Sequence, residues 1–579
     1  MKKYSGSVLP VFFTLILLSC STPPTQEKSD SIIPLSANNS KPFSNMLQKT
    51  IEAINAKDFI SAETNLSSLK NLANQNNEQA LVKVAESLLA KAKGDFDLAI
   101  SILSENENKF NQADQEIIFN KNNLLAELLM LKGRDIDAIK IQYQNTIGSP
   151  DNEKKTIIAF DALWSQLKQL DIKTLNQGIQ QINDPTLKAW FELAKITNNA
   201  NYSLKKQINA LDHWLAANPT HPAALVPPKE IESIRIAYLS SPQKIAVILP
   251  FDGKYQPISK AIRDGLISNY YQQGNSEIHF YNADPQMDFV PIYQQAVNEG
   301  ADLVIGPLLK EQLESLYQLQ RLPVKTLALN QIDKPSLPNL VQFSLSADHE
   351  INSLIKFAEE RNFNRVLILA NKTKWGQKNK NAFATLWTQQ GHTIVDQGNF
   401  NQTRELANLL KKLLKVDTSI LRKNQLESTT KQDINFEAIR RRDIDFAAIF
   451  VKPNEALAIP PLFKFYYASD LPILGTSSLF KGVSDKRTNK DLNGVLITEQ
   501  PFVINPPSGL PAEYKNSSLI RMFAFGKDAF AIGERIKGMD QFQNLQGATG
   551  SLTLKNSKIN RHLDLALFSK GLLAKSNQQ

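Results

Sequence analysis

The stretch KIAVILPFDGKYQPISKAIRDGL, residues 244–266, begins a new pattern in the chain. Its first part, KIAVILPF, is a continuous apolar run with several β-branched residues, as expected for a strand that is buried on both faces. The helical pattern ISKAIRDGL follows it, and strand and helix patterns then alternate as far as LPILGTS, residues 471–477. Strands that alternate with helices predict parallel α/β sheets joined by right-handed crossovers.

Residues 44–225 follow a different pattern, in which apolar residues recur at spacings of three and four and prolines are scarce. This periodicity predicts helices throughout. Three similar segments each join two helical patterns through a short polar turn: AKDFISAETNL from Ala56, KGDFDLAISIL from Lys93 and KGRDIDAIKIQ from Lys132. They resemble tetratricopeptide repeats and predict a helix-pair solenoid, a shape that usually binds proteins. An ordinary helical bundle is the alternative.

The two patterns meet at NPTHPAALVPPKE, residues 218–230, where four prolines within ten residues cannot continue a helix. We therefore predict a helical, tetratricopeptide-like domain over residues 44–225, a linker over residues 226–243 and an α/β domain over residues 244–579.

The first nineteen residues are typical of a signal peptide, with two early lysines and an apolar run, Val8 to Leu18, that is too short to cross a bilayer. The run ends Leu17-Leu18-Ser19-Cys20, which resembles the lipobox of bacterial lipoproteins. This resemblance implies a lipoprotein signal peptide over residues 1–19, cleavage before Cys20 and lipidation of that residue, with acyl chains such as palmitate. Ser21, in place of aspartate, implies sorting to the outer membrane. A free thiol near an ordinary cleavage site is the alternative.

Residues 20–43 are rich in Ser, Pro, Asn and Thr and lack apolar periodicity, so we predict a disordered tether between the lipid and the first helix. Cys20 is the only cysteine of the chain. Once it is lipidated, no cysteine remains for a disulfide, a thiolate metal site or a nucleophile.

The composition argues against several classes of protein. The chain of 579 residues has a formal charge of +9, and removal of Lys2 and Lys3 with the signal peptide leaves +7. This is a modest basic excess, and no basic or stacking motif indicates nucleic-acid binding. The sequence has no Gly-x-Ser-x-Gly elbow, His-Glu-x-x-His motif or phosphate-binding loop, and its six histidines are scattered. We therefore predict no catalytic residue, no metal and no cofactor.

Five segments follow one another in an order that resembles the type I periplasmic binding protein fold: KIAVILPFDGKYQPISKAIRDGL, GADLVIGPLLKEQL, RVLILANKTKWGQ, LPILGTSSL and LNGVLITEQP. The resemblance implies two lobes joined by three crossings of the chain. It places the first lobe at approximately residues 244–345 and 500–548, and the second at approximately residues 346–499 and 549–579.

Open α/β sheets bind ligands at the carboxyl ends of their strands. Four residues follow such strands and are candidates for a vestigial cleft: Asp252, Gly253, Gly306 and Pro307. Amino-acid receptors of this fold place a Ser or Thr hydroxyl after the strand that ends in Gly-Pro, whereas this chain has Leu308-Leu309. A receptor for a small periplasmic solute is the alternative function, and a turn-capping role is the alternative for Asp252.

Arg440, Arg441 and Arg442 precede a buried strand pattern in a run that is too charged for a core. Arginine forks suit carboxylates and protein interfaces, so these residues are candidates for a partner contact. A solvated helix end, where cations favour the helix dipole, is the alternative.

The lipobox, the tetratricopeptide-like half and the binding-protein-like half together resemble the LpoA-type lipoprotein activators of penicillin-binding proteins. The segment RRRDIDFAAIFVKPNEA, residues 440–456, is similar to that family as well. The resemblance implies a monomeric, non-catalytic lipoprotein on the periplasmic side of the outer membrane. It implies a direct contact that activates a bifunctional class A penicillin-binding protein, a peptidoglycan synthase, and so regulates cell wall biogenesis and cell shape.

Overall fold

The computed structural model describes residues 39–147, 153–199, 202–273, 276–483, 485–515, 517–538, 540 and 542–575, and this part of the chain begins with helices only. In chain order they are α1 (Lys41–Asn55), α2 (Phe59–Leu72), α3 (Asn76–Ala92), α4 (Phe96–Ser104), α5 (Glu107–Phe110), α6 (Gln115–Leu131), α7 (Asp135–Ile147), α8 (Glu153–Leu167), α9 (Ile172–Gln181), α10 (Pro185–Asn198), α11 (Leu204–Ala217), α12 (Pro222–Leu225) and α13 (Lys229–Leu239). The predicted helical N-terminal half is confirmed.

The polar turns of the three repeated segments each separate two helices. Gly94 and Gly133 take positive φ angles of 83° and 67°, and Lys57 takes 57° at the corresponding place in the first segment. A left-handed residue ends one helix and lets the next fold back against it. The side chains of Asp58 and Asp95 then accept hydrogen bonds from backbone amides and cap α2 and α4.

Two predicted boundaries are corrected by the structure. Phe43, which belongs to the predicted tether over residues 20–43, is fully buried in the first helical core, so the folded half already begins with α1. The predicted linker over residues 226–243 contains α13, whose apolar face is buried. Pro222 and Pro228 lie at the starts of α12 and α13, where proline is well tolerated, and therefore begin helices instead of preventing them.

In residues 244–475 helices separate most of the strands, as predicted, whereas the last five strands follow one another without a helix. The strands are β1 (Lys244–Leu249), β2 (Glu277–Asn282), β3 (Leu303–Ile305), β4 (Lys325–Ala328), β5 (Leu340–Phe343), β6 (Arg365–Asn371), β7 (Thr393–Phe400), β8 (Phe446–Phe450), β9 (Ile473–Gly475), β10 (Val495–Glu499), β11 (Phe542–Gln546), β12 (Ser551–Lys555), β13 (Lys558–His562), β14 (Asp564–Ser569) and β15 (Leu572–Lys575). The helices are α14 (Gln256–Gln273), α15 (Phe289–Asn298), α16 (Lys310–Ser315), α17 (Ala347–Glu360), α18 (Lys374–Gln389), α19 (Leu406–Leu413), α20 (Val416–Thr430), α21 (Pro453–Ala456), α22 (Ile459–Phe465), α23 (Pro501–Ile504), α24 (Ala512–Lys515) and α25 (Ile520–Ile536).

The strands form two sheets, one in each lobe, and the predicted multidomain class with a two-lobed α/β part is confirmed. The strand order is β11-β12-β13-β5-β4-β3-β1-β2 in the first sheet and β15-β14-β10-β9-β8-β6-β7 in the second. The neighbours among β1 to β5 pair in parallel, as do those among β6 to β10. Both sheets are therefore wound through helices, as the alternation of patterns requires.

The predicted boundary between residues 548 and 549 is wrong. Strands β12 and β13 belong to the first sheet, because β13 pairs with β5 through Ile559 and Phe343. The third crossing therefore lies at Leu563, between β13 and β14. Which sheet a strand joins depends on its distant pairing partner, and the local pattern does not reveal that partner.

The helical half and the first lobe share one hydrophobic core. Trp164 and Trp190 lie in the same buried cluster as Phe530 of α25 and Leu545 of β11. The isolated bridge between Asn199 and Gln546 joins the two halves through the backbone as well. The two halves are thus packed as one unit over this interface.

Helix α25 is the element that holds the parts together. Its Arg535 is 2% exposed and reaches into the helical half, where Nη2 donates to the Gln207 side chain at 2.9 Å and to the Tyr202 carbonyl at 3.2 Å. The adjacent Glu534 is 5% exposed, and its Oε2 has no hydrogen-bond partner within the described residues. Burial raises the pKa of Glu534 to about 7, although Arg535 opposes the rise.

The raised pKa of Glu534 predicts that the free energy of unfolding depends on pH. Its pKa is higher in the folded protein than in the unfolded chain, so its stabilising contribution is complete below pH 4.5 and is lost as the pH rises to about 7. A shift of this size corresponds to about 3 kcal/mol of unfolding free energy. We expect Glu534→Gln to remove most of this decline, as measured by urea unfolding between pH 5 and pH 8. An equally steep decline in the variant would contradict the assignment.

Candidate functional site

The predicted cleft residues of the first lobe lie along one edge of its sheet, at the carboxyl ends of β1 and β3. Asp252 Oδ2 accepts a hydrogen bond from the Asn282 side chain at 2.5 Å, and Asn282 Oδ1 accepts one from the Phe251 amide at 2.8 Å. These contacts tie the loop after β1 to the end of β2. Asp252 thus holds a turn, and Gly253 continues it with a positive φ of 64°.

Gly306 and Pro307, the other predicted cleft residues, are buried in the floor of the same edge. The Gly306 amide donates to the Leu327 carbonyl, and the Pro307 carbonyl accepts from the Leu329 amide, both at 2.8 Å. The peptide bond between Gly306 and Pro307 is cis. A Cβ on Gly306 would lie 2.2 Å from the Ile248 carbonyl oxygen, so this position requires glycine.

Hydroxyl groups do line the edge of the second lobe, but they bind a carboxylate of the protein itself. Glu350, in the first turn of α17, accepts hydrogen bonds from the Ser477 amide at 2.7 Å, from the Ser477 hydroxyl at 2.9 Å and from the Thr498 hydroxyl at 3.1 Å. Burial raises the pKa of the Glu350 carboxyl, while Arg561 opposes the rise and Glu499 adds to it. The hydroxyls of Ser477 and Thr498 are therefore occupied by a carboxylate of the protein itself.

A buried ion pair lies beside this carboxylate. Glu499, at the end of β10, is fully buried, and Arg521 of α25 binds it through Nη2 at 2.5 Å and Nε at 3.2 Å. Arg521 Nη2 also donates to the carbonyls of Ser477 and Phe480. Glu499 lies where the chain crosses for the second time, from the second lobe to the first. Arg521 lies on α25, which packs on the first lobe, so the pair fixes the lobes relative to each other.

Arg561, at the end of β13, completes the polar cluster at the crossings. It is 4% exposed, and it donates to the Ser344 carbonyl at 3.1 Å and to the Thr549 carbonyl at 3.2 Å. Among the described residues, several buried polar atoms nearby have no partner: Arg561 Nη2, Gln500 Oε1, Ser344 Oγ and His349 Nδ1. Bound water commonly satisfies such atoms.

Sequence reasoning missed this cluster at the crossings. A signal was present, because Glu499 ends an otherwise apolar strand pattern and Arg521 begins a helix that is buried over most of its length. Charged residues in such places are rarely buried without a charged partner. What the local pattern could not reveal is that the two residues pair with each other.

The structure separates the three candidate arginines. Arg440 is buried and binds Asp470 through two nitrogens, at 3.2 and 2.6 Å. Arg441 is nearly buried and makes two bonds of 2.7 Å to Asp443. The expected exposed patch of three arginines is therefore wrong, because carboxylates bind two of them in the folded protein. Arg442 alone of the three is exposed, with 77% of its side chain accessible.

The alternative reading of this run, a solvated helix end, is wrong as well. Helix α20 ends at Thr430, and residues 434–441 run back along it without helical hydrogen bonds. The Ile439 amide donates to the Ser419 hydroxyl at 3.1 Å, and the Arg441 amide donates to the Leu414 carbonyl at 2.9 Å. These backbone bonds anchor the returning segment to the base of α20.

A groove with a volume of about 950 Å³ lies between the helical half and the two lobes. Lys575 bridges it, with Nζ 2.5 Å from Asp171 Oδ2 and 3.0 Å from Asp564 Oδ2. Burial raises the pKa of Asp135 in the wall of the groove, and Lys575 opposes the rise. The groove thus contains an ion-pair contact between the halves.

Within the described residues no group of three or more His, Cys, Asp and Glu side chains is arranged to hold a metal ion. In the same part of the chain, no helix has both the length and the apolar character that a membrane crossing requires. The predicted signal peptide and Cys20 lie outside the described residues.

Comparison with known proteins places these features in context. A family model described as "LppC putative lipoprotein" matches residues 45–571. The penicillin-binding protein activator LpoA of Photobacterium profundum is 24% identical, over 98% of this chain and 97% of the relative. The activator of the same name from Vibrio cholerae is 23% identical, over 94% of each chain. Among solved structures, full-length LpoA from Haemophilus influenzae is 19% identical, covers 93% of this chain and 96% of its own, and has a TM-score of 0.46.

Proposed function

The chain belongs to the LppC lipoprotein family, and from this membership we propose that it activates a bifunctional class A penicillin-binding protein by direct contact. One observation carries the proposal. Relatives that align with almost the full length of the chain are named penicillin-binding protein activators. The proposed role is that of a regulator without turnover of its own, with no cofactor and with the synthase as its partner.

The polar groups between the lobes support this choice over a solute receptor. The hydroxyls of Ser477 and Thr498 bind Glu350, and Asp252 binds Asn282, so these side chains bind one another and offer little to a solute. The loop after Gly306 and Pro307 presents leucines where amino-acid receptors of this fold have a hydroxyl. The surface of the protein is therefore the better candidate for its contacts.

Activation requires that the protein bind one state of the synthase more tightly than another. A rigid body suits this task, because a contact made by a rigid surface costs little ordering free energy on binding. Arg535, the Glu499–Arg521 pair and the shared core fix the halves and lobes relative to one another. We propose that the folded body presents one fixed surface to the synthase.

Binding to a purified class A synthase tests the proposal. We expect the mature protein, residues 20–579, to bind the synthase saturably when the synthase is immobilised in detergent. Direct contact predicts binding without any third component, and bovine serum albumin at the same concentration serves as the control. If the two purified proteins do not associate, direct contact is ruled out.

We further propose that lipidated Cys20 anchors the protein in the outer membrane, facing the periplasm. Two or more acyl chains hold a protein stably on a membrane, whereas one chain holds it only marginally. We expect Cys20→Ala to abolish incorporation of a labelled fatty acid and to release the protein from the outer-membrane fraction. A variant that retains the label or stays with the outer membrane would contradict this anchor. Ser21→Asp, with the cysteine intact, separates lipidation from sorting, since it should retain the label and change the membrane.

A further inference from the structure

One part of the second lobe buries few of its apolar side chains. Residues 416–442 comprise α20 and the segment that returns along it, and we call them the arm. Only Val416 of α20 is buried, at the base of the helix, while Leu421 and Leu426 further along are 59% and 54% exposed. Apolar side chains that are exposed on a helix with so little core contact point to an interaction surface.

The end of α22 extends this surface. Arg440 at the base of the arm holds Asp470, three residues beyond Tyr467, so the arm and the end of α22 are neighbours. Phe465 is 71% exposed, Tyr467 is 49% exposed and Ile439 of the returning segment is 60% exposed. We call the surface formed by Ile439, Arg442, Phe465 and Tyr467 the arm face.

The backbone at Tyr467 is strained. This residue follows the C-terminal end of α22 with a φ of 60°, in the left-handed region. Glycine or asparagine usually occupies this place, and a bulky side chain there costs about 1–3 kcal/mol. The ring of Tyr467 is nevertheless half exposed and lies outside the buried core of the lobe. Burial of the Tyr467 ring in the core therefore does not offset the conformational cost of its backbone.

The charge of the region indicates what would bind to it. Residues 403–442 hold ten Lys and Arg against five Asp and Glu. Asp470, Asp396 and Asp443, which lie outside this range, bind Arg440 and Arg441. The eight other cations against the five acids leave a net +3. Among the described residues, the basic side chains of Lys411, Lys412, Lys415 and Arg422 make no ion pair. Arg442 lies 4.0 Å from Asp470, whose carboxylate Arg440 already binds. An acidic surface would complement this charge.

We propose that the arm face docks an acidic surface of the penicillin-binding protein, with Tyr467 and Phe465 as its apolar anchors. This inference rests on the proposed function and assigns a surface to it. Aromatic residues and arginine dominate the energetic centres of protein interfaces, and exposed apolar anchors gain most when a partner excludes water from them. The excess of cations in residues 403–442 steers an acidic partner towards this part of the second lobe.

The strain at Tyr467 makes a sharp test possible. Tyr467→Gly removes the ring and also relieves the backbone, so we expect the melting temperature of the mature chain to stay level or rise. We expect the affinity for a purified class A synthase to fall at least tenfold, as for the loss of an interface anchor. Phe465→Ala should weaken binding in the same direction, and Arg442→Glu should reduce the association rate and its salt dependence. Ile60→Ala, which removes an 81% exposed side chain from the helical half, is the matched control and should bind as the wild type does.

The outcomes separate the two proposals. If the wild type binds and stimulates the synthase while Tyr467→Gly and Phe465→Ala do so equally well, the arm face is overturned and the proposed function stands. If the wild type neither binds nor stimulates a class A synthase, the proposed function fails, and the arm face fails with it.

Binding to vesicles of phosphatidylglycerol and phosphatidylethanolamine is the remaining control. Loss of vesicle binding in the two variants, with synthase binding intact, would assign the arm face to a lipid surface and overturn the proposal.

Discussion

Gly265→Ala is expected to lower the free energy of unfolding by about 3 kcal/mol or more, in the range of severe overpacking. Helices α14 and α25 cross backbone to backbone at this point. A Cβ on Gly265 would lie 1.9 Å from the Phe523 carbonyl oxygen, and a Cβ on Gly526 would lie equally close to the Ile262 carbonyl oxygen. Backbone atoms cannot rotate away as a side chain can, so the two helices would have to separate.

The matched control is Gly509→Ala, because a Cβ at Gly509 would meet nothing within 4 Å. Thermal and urea unfolding of the two variants beside the wild type provide the measurement. We expect the control to stay within about 0.5 kcal/mol of the wild type, as is usual for surface substitutions. A Gly265→Ala protein that unfolds at the wild-type midpoint would contradict the close crossing of α14 and α25.

Arg521→Met is expected to cost about 3–5 kcal/mol, because it leaves the fully buried Glu499 carboxylate without its cation. The carbonyls of Ser477 and Phe480 lose a donor in the same substitution. Arg442→Met is the control, since the Arg442 side chain is 77% exposed and its removal should change stability by no more than about 0.5 kcal/mol.

A double variant distinguishes loss of the Glu499–Arg521 interaction from general destabilisation of the site. Replacing both partners, in Arg521→Met with Glu499→Met, removes the unpaired charge and should recover most of the lost stability, as apolar replacement of buried pairs often does. Urea unfolding of both single variants and the double variant gives the coupling energy. Simple addition of the two single losses would show that Arg521 and Glu499 do not act as a pair.

The order of elements could be predicted from the sequence, because apolar runs and helical periodicity are local signals. The apolar run before Val451 predicts a strand, and the structure has β8 there. The apolar periodicity that begins at Ile51 predicts helices, and its residues form the first helical core. The sheet that a late strand joins could not be predicted in this way. β13 reaches β5 across more than two hundred residues, and nothing in its own five residues specifies that partner.

The candidate site was less predictable, for a physical reason. Arg440 and Arg441 belong to a charged run and were expected at the surface, yet Asp470 and Asp396, each at least thirty residues away, lie close enough to pair with them. Whether a charge is buried depends on partners that only the fold brings near. The candidate residues Asp252 and Gly306 were found at one sheet edge because they follow parallel strands, a relation that the sequence does encode.

The most direct test of the proposed function is the rate of glycan polymerisation and crosslinking by a purified class A synthase, measured with lipid II as substrate and increasing amounts of the mature protein. We predict that the rate rises and then saturates, that it falls back with Tyr467→Gly at the same concentration, and that the mature protein alone forms no product. A rate that stays unchanged at concentrations where the two proteins are shown to bind would contradict the claim that this protein is an activator.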